Sequence, residues 1–444
     1  MSTAVSVVEQ TATPRLVVRK LWKLGWPLGL MLQLVGYSDA VVMFWLGHML
    51  GPAGLAVEAT MRHLFMAAGW LIGSVGTGVS VLVSQSVGAR DGKALTIVAS
   101  GVRLCLVMSA VTAAIVVVCN GPIVDVLGSR DIAPSDLRAY MLPWVVLTLP
   151  SIGVLLVLLG GSSGAGWTQL TLQRAAADLA LTTVVVPLFV GVLGLGVGGA
   201  PLAVGLVQLA MAALVWRAMR RRRETWHLGA LPERGSHREL WRPLLDIGLP
   251  PQLARLAMLG AYAYLAQHVA QEGEAQVAAY GISVMLMFVG FNLTAAIGRA
   301  CGILVGQLVG AKAWDRVPMV VRVALTFSLC LSVGPVLLLM LGGGPIASLF
   351  VDQALVIDSA RDTLRVIAWA LPFTAISQLY LFVLTAIKAS KVAGLLGIVA
   401  DGVGLAFALL WPGPPLEVAA WSIVLSNATR AVLFFGLWRI KLPK

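Results

Sequence analysis

The chain has 444 residues, 59% of them hydrophobic and only 12% charged, with a net charge of +12 and a mean hydropathy of +0.90. That balance excludes an ordinary soluble domain. The four cysteines (Cys105, Cys119, Cys301 and Cys330) show no C-x-x-C spacing. This excludes a disulfide framework and a zinc site, and they read as four buried apolar thiols.

Residues 1–14 are largely polar and lead into Arg15, Arg19, Lys20 and Lys23. The reading is a cytoplasmic N-terminus over 1–23 ahead of a full-length span, not a cleavable signal. Twelve apolar runs follow, at 24–46, 56–84, 95–119, 137–160, 170–190, 197–218, 244–268, 277–304, 318–341, 364–387, 392–411 and 416–438. Runs of about 20 residues reach across a hydrocarbon core. In lipid they must be helices, because backbone groups there find no water. Strand-period alternation is absent, so the expected fold is all-α and integral to the membrane, not a barrel.

Basic residues alternate between connections. One set holds the N-terminus, Arg90/Lys93, Arg174, the 217–242 segment, Lys312/Arg316, Lys388/Lys391 and the C-terminal tail at 441–444. The other set, at 120–136, 269–276 and 342–363, has no basic excess. The positive-inside rule then places both termini in the cytoplasm of a cell (plasma) membrane protein. The segment 217–242 holds eight arginines, including Arg220–Arg223, and its core at 220–243 joins two halves. Topology control and attraction to anionic membrane lipid explain it without a nucleic-acid partner.

The halves repeat. Val81–Arg90 reappears as Ile303–Lys312, an offset of 222 positions, and Gly25-Trp-Pro27 matches Gly248-Leu-Pro250 within one residue of that offset. Leu149-Pro150 likewise matches Leu371-Pro372. Six spans per half make the repeats parallel: a first lobe at 24–219 and a second at 244–440, with a central cavity expected between them. Gly88-Ala89 and Gly310-Ala311 are expected to end the second and eighth spans at equivalent places, whereas Gly198 belongs to an outer turn that tolerates substitution. Gly194–Gly199 satisfies G-x-G-x-x-G, but no strand precedes it and no dinucleotide site follows. Neither a P-loop nor H-E-x-x-H is present, so an enzyme, a cofactor and a metal site are not expected.

Taken in order, Gly25-Trp-Pro27, Gly47–Pro52, Val83–Ala89, Gly248-Leu-Pro250, Val305–Ala311 and Leu371-Pro-Phe373 resemble the multidrug and toxic compound extrusion (MATE) family, over residues 20–440. The resemblance implies two six-helix lobes that open alternately and export small organic molecules against inward proton or sodium flow, as a monomer.

A charge at mid-bilayer costs about 2.5–3.5 kcal/mol on insertion scales, so each one calls for a reason. Asp39 in the first span matches the family's coupling aspartate. Counting back from Gly51 puts the family position at Met43, one turn along the same face. Cation coupling and a structural hydrogen bond, to Ser38 or a neighbouring helix, are both open to it. In the fifth span Asp178 stands one turn before Thr182, which with Val186 occupies positions where one branch of the family carries Asn and Asp. Another branch uses acids in the second lobe. Those positions hold Met258 and Ala389 here, so coupling is expected in the first lobe and by protons. Asp401, within one residue of the repeat partner of Asp178, and Asn292 form a candidate second-lobe polar site. Glu58 and Arg62 read as a local i, i+4 pair. Arg103, Arg255 and Arg299 either snorkel to headgroups, pair with a carboxylate or contact an anionic substrate. Trp45, Trp70, Arg255, Met258 and Met285 are candidates for a substrate cavity. The alternative function is a flippase of lipid-linked precursors, which needs a strongly basic cavity.

The basic linker generates a direct test of orientation. With the four native cysteines replaced, a cysteine introduced at Gly235 should resist membrane-impermeant thiol reagents in intact cells. Rapid labelling from outside reverses the orientation.

Overall fold

A computed structural model describes residue 9 and residues 11–127, 132–222, 224 and 238–441. Gly235 and most of the basic linker, residues 225–237, lie outside the described residues. The described chain is helical almost throughout and contains no strand, as lipid demands of a chain this apolar. Twelve long helical segments are present among the described residues. Pro14–Ala89 is interrupted at Gly51 (φ 68°, ψ −160°), giving α1 (14–50) and α2 (52–89). Then come α3 (Ala94–Val118), α4 (Pro134–Gly164), α5 (Thr168–Val192), α6 (Gly196–Arg221), α7 (Trp241–Val269), α8 (Glu274–Gly310) and α9 (Trp314–Ala347). α10 is the bent pair Ala354–Ile367 and Ala370–Ala386, followed by α11 (Ser390–Leu410) and α12 (Pro415–Lys441).

The repeat is written into the backbone as well as the residues. Left-handed φ values occur at Gly51 (68°) and Gly273 (111°), at Arg90 (54°) and Lys312 (59°), and at Gly166 (90°) and Lys388 (63°), each pair 222 positions apart. These positions end α1 and α7, α2 and α8, and α4 and α10. A positive-φ residue just past the last turn is a common helix terminator; at Gly51 and Gly273 it is joined to an extended ψ (−160° and 174°), a combination that essentially only glycine takes. The matched Leu-Pro pairs also act alike. A proline has no N–H to give the preceding turn. α4 absorbs this as a π-helical turn at Trp144–Thr148 just before Pro150, and α10 as a 47° bend just before Pro372.

The chain folds as two compact units. One is Leu30–Leu249; the other joins the described residues up to Gly29 with those from Pro250 onward. The boundaries fall inside α1 and α7. In Leu30–Leu249, the first turns of α7 pack on α2 so closely that a Cβ on Gly248 would meet the Ser74 carbonyl oxygen at 1.8 Å. Gly78 likewise faces the Leu244 carbonyl, at 2.3 Å. In the other unit the first turns of α1 pack on α8, where a Cβ on Gly25 would meet Ile297 Cδ1 at 2.8 Å. The two glycines that open the repeats are thus close-packing positions. The core of Leu30–Leu249 includes Phe65 stacked on Trp144 at 3.8 Å, within the π-helical turn.

Two expectations need correction. Cys105 and Cys301 are buried, but Cys119 and Cys330 are exposed, because Cys119 caps the end of α3 and Cys330 faces outward from α9. Gly198 is no open loop position either: a Cβ there would meet the Ala139 carbonyl oxygen at 2.6 Å.

At Gly248 the obstacle is backbone, which cannot rotate away. Gly248→Leu should lower the yield of monodisperse protein and its thermal midpoint, in line with overpacking costs of about 1–3 kcal/mol or more. Gly260→Leu, where a Cβ meets nothing within 4 Å, should leave both near wild type. Size-exclusion profiles and melting curves in detergent check the contrast.

Candidate functional site

In Leu30–Leu249, one helical turn of α5 places Arg174 beside Asp178, with Arg174 Nη2 3.3 Å from Asp178 Oδ1. Gln208 of α6 closes a triangle. Arg174 Nη2 donates to Gln208 Oε1 at 2.6 Å, and Gln208 Nε2 donates to Asp178 Oδ1 at 3.0 Å. From α1, Ser38 Oγ donates to Asp178 Oδ2 at 3.3 Å. All four residues are buried, as are Thr182 and Val186 further along the same face of α5. Two charges taken out of water cost several kcal/mol each unless matched by a partner and hydrogen bonds. Here both kinds of compensation are present.

Asp39, next to Ser38, is exposed. It lies within electrostatic reach of Arg62, Glu58 and Asp178. Arg62 is already engaged, its Nη2 standing 2.7 Å from Glu58 Oε1 in the expected i, i+4 pair. Asp178 and Glu58 each therefore have a cation of their own. Asp39 adds a negative charge that no adjacent cation claims. It is Ser38, not Asp39, that makes the bond from α1 to α5.

The other unit repeats the plan with different residues. Asp401 of α11 is buried and bonds to Arg430 of α12, which is buried too. Arg430 Nη1 also donates to Asn427 Oδ1 at 3.4 Å, and Thr374 Oγ1 of α10 donates to the same oxygen at 3.2 Å. Asn427 Nδ2 in turn donates to the Ile423 carbonyl oxygen at 2.9 Å, one turn earlier in α12. Asp401 Oδ2 is buried and has no partner among the described residues. Asn292 lies on α8 and takes no part in these hydrogen bonds among the described residues.

The repeat offset explains the likeness. Asp178 and Asp401 are 223 positions apart, and Gln208 and Arg430 are 222 apart. Both carboxylates thus take a hydrogen bond from the same place on the following helix. They differ in where the cation stands. Arg174, one turn before Asp178, corresponds to Gly397, one turn before Asp401. A Cβ at Gly397 already meets Ala254 Cβ at 3.2 Å and the Phe434 ring at 3.8 Å. With no room for a long side chain on α11, α12 supplies the charge.

Trp45 and Trp70, proposed from sequence for a cavity, belong to Leu30–Leu249; Arg255, Met258 and Met285 belong to the other unit. Trp45 packs partly buried against its own core, and Met285 is exposed. Sequence reading missed Arg174, Gln208 and Arg430. Arg174 passed for a loop charge although its i, i+4 spacing to Asp178 was visible. Applying the repeat offset to Asp178 and its neighbours would have found the other two.

The sequence profile of the MatE family matches residues 27–189 and 253–410. A Bacillus subtilis (strain 168) protein named probable multidrug resistance protein YoeA is 22% identical over 358 residues, covering 78% of this chain and 76% of its own. Among solved structures, a MATE protein in a bent conformation superposes with a TM-score of 0.89 at 20% identity, covering 99% of this chain and 98% of its own. A multidrug resistance MATE family transporter in an outward-facing conformation gives 0.88 at 19% identity, covering 100% and 99%.

Breaking a buried pair from one side strands the other charge, at about 3–5 kcal/mol. Arg430→Met should therefore lower the thermal midpoint of the purified protein sharply. Adding Asp401→Asn should restore much of it. Melting curves of the single and double variants test this, and an additive double-mutant cycle would remove the pair from the account.

Proposed function

The chain belongs to the MatE family, the multidrug and toxic compound extrusion transporters, and from that premise we propose that it is a proton-coupled antiporter that exports small organic molecules by alternating access. One observation carries this reading: in Leu30–Leu249, Asp39 is the carboxylate left over after Arg174 has matched Asp178 and Arg62 has matched Glu58. A proton on Asp39 removes a charge without breaking an ion pair, which is what a reversible coupling group requires. Protonating Asp178 or Glu58 would instead strand a guanidinium.

Asp39 acts through its neighbour. The Ser38 bond ties α1 to Asp178 on α5, so a change of charge at Asp39 is felt where the two helices meet, with Thr182 one turn further along that face. With the site open to the more acidic exterior, Asp39 takes up a proton, α1 repacks against α5 and cargo affinity falls. With the site open inward, the proton leaves and high affinity returns. Export then draws only on the differential binding of proton and cargo in the two conformations. Protons are preferred to sodium because the second-lobe positions that resemble a cation site hold Met258 and Ala389. The name of the Bacillus relative supports drug-like cargo. Plasma-membrane residence with both termini cytoplasmic, and a monomeric working unit, complete the proposal. The flippase alternative needed several arginines in one place. Arg103 is exposed on α3 in Leu30–Leu249, which leaves two in the other unit.

Asp39→Asn mimics the protonated form. In liposomes with an imposed pH gradient it should fold normally yet lose uphill ethidium transport by about tenfold or more, which is about 1.4 kcal/mol or more of coupling. Downhill exchange should stay measurable. Uphill, proton-dependent transport at the wild-type rate would place coupling elsewhere.

A further inference from the structure

The unit that holds Asp401 contains two further charges that its ion pair does not use. Arg299 lies on α8, eleven residues before the helix end at Gly310, or about 16 Å at 1.5 Å per residue. That is further than an arginine side chain extends. The guanidinium does not turn toward the helix end: it stacks over the Phe382 ring of α10, with 5.6 Å from Cζ to the ring centroid. Phe382 is held there because α8 has no side chain at Gly298 and Gly302, where a Cβ would meet Phe382 atoms at 3.1 and 3.0 Å. Arg299 Nε is buried and has no hydrogen-bond partner among the described residues. In the same α8–α10 seam the Oε1 atom of buried Gln378 is also unpartnered among the described residues.

Arg255 of α7 stands within electrostatic reach of Arg299. Its Nη1 donates to Oε1 of Gln252, one turn earlier, at 3.3 Å, and Gln252 is itself buried. That contact is to a neutral amide. Neither arginine forms an ion pair with a carboxylate among the described residues, although Arg430 in the same unit does. Two guanidinium groups that repel one another inside an apolar unit are costly. A structure keeps them only when an anion completes the arrangement or when other interactions bear the cost. The surroundings suit an amphipathic ligand. Met285, Asn292 and Arg299 recur at seven-residue spacing along one stripe of α8, and Gln252, Arg255, Met258 and Tyr262 share a face of α7.

We propose that Arg255 and Arg299 form a binding site for an anionic group, a carboxylate, sulfonate or phosphate borne on an aromatic or otherwise apolar body. The planar guanidinium forks match the oxygens of such a group, with Gln252 as the neutral polar neighbour of Arg255. The site rests on its own geometry; that its ligand is exported cargo rests on the transporter reading above. The same chemistry would also accept the headgroup of an anionic lipid, so the test separates the two sources.

The full chain is placed in nanodiscs of phosphatidylcholine, and binding of 4-methylumbelliferyl phosphate is compared with that of the uncharged 7-methoxy-4-methylcoumarin by equilibrium dialysis. The readout is the ratio of the two affinities, which loss of folded protein alone does not change. Wild type should prefer the phosphate ester by about tenfold or more, the scale of one charge-assisted pair. Arg299→Gln and Arg255→Gln should each bring the ratio near one, and Arg299→Lys should recover part of it. If Arg255→Gln does not fold, Arg299→Gln and Arg299→Lys decide. Repeating the measurement with phosphatidylglycerol in the disc identifies the source. A preference that survives means a soluble anion; one that is competed away means the lipid headgroup, and both outcomes keep the arginine site. A wild-type ratio near one, or a ratio unchanged in both glutamine variants, overturns it. Proton coupling at Asp39 is read by transport and this site by equilibrium binding, so either can fail while the other stands.

Discussion

A buried carboxylate matched by a guanidinium inside its own unit is the interaction around which each half is arranged. In water a carboxylate on α5 or α11 would need no partner. In hydrocarbon it needs one within a few ångströms, and the partner must itself be held by hydrogen bonds. Asp178 and Asp401 occupy equivalent places, yet their cations come from different helices because Gly397 sits against Ala254 and Phe434. Packing at a single glycine decides which helix carries the charge. The surrounding bonds then follow: Gln208 bridges in one unit, while Asn427 gathers Thr374 and Arg430 in the other.

Once those pairs are set aside, each unit holds charges that its buried pair does not use. Asp39 is left over beside Glu58 and Arg62, and Arg255 and Arg299 are left over beside Phe382 and Gln252. Unmatched charge on or inside an apolar structure is expensive. It is therefore where a small cation on one side, or an anionic group on the other, gains the most from binding. The pairs that are satisfied make the scaffold, and the charges that are not satisfied are the ones free to respond.

Much of the fold was legible in the sequence because its signals are long and additive. Twelve apolar runs, a repeat offset of 222 and motifs in one fixed order all point the same way. The site was legible only in part. Asp39, Asp178 and Asp401 stood out because an acid in an apolar run is rare, but their partners did not. Arg174 lies near enough to a helix start to pass for a loop charge, and Arg430 lies near enough to the chain end. Gln208 carries no charge to notice. The left-handed turns at Arg90, Lys312 and Lys388 were hidden because they involve residues that rarely take that conformation. Gly198 misled for a related reason: from sequence, a glycine in a turn looks the same whether its neighbour is solvent or the Ala139 carbonyl.

The close seats of Gly25 against Ile297 and of Gly248 against Ser74 bear on how the protein is made. As the chain emerges from the ribosome, Leu30–Leu249 can close as soon as the start of α7 has been synthesised. The first turns of α1 must wait for α8, more than half the chain later, before the surface they pack on exists. Until then a narrow glycine face stays open. A helix made ahead of α2–α7 is thus completed after them, and a translation product truncated before α8 leaves the first turns of α1 with nothing to dock on.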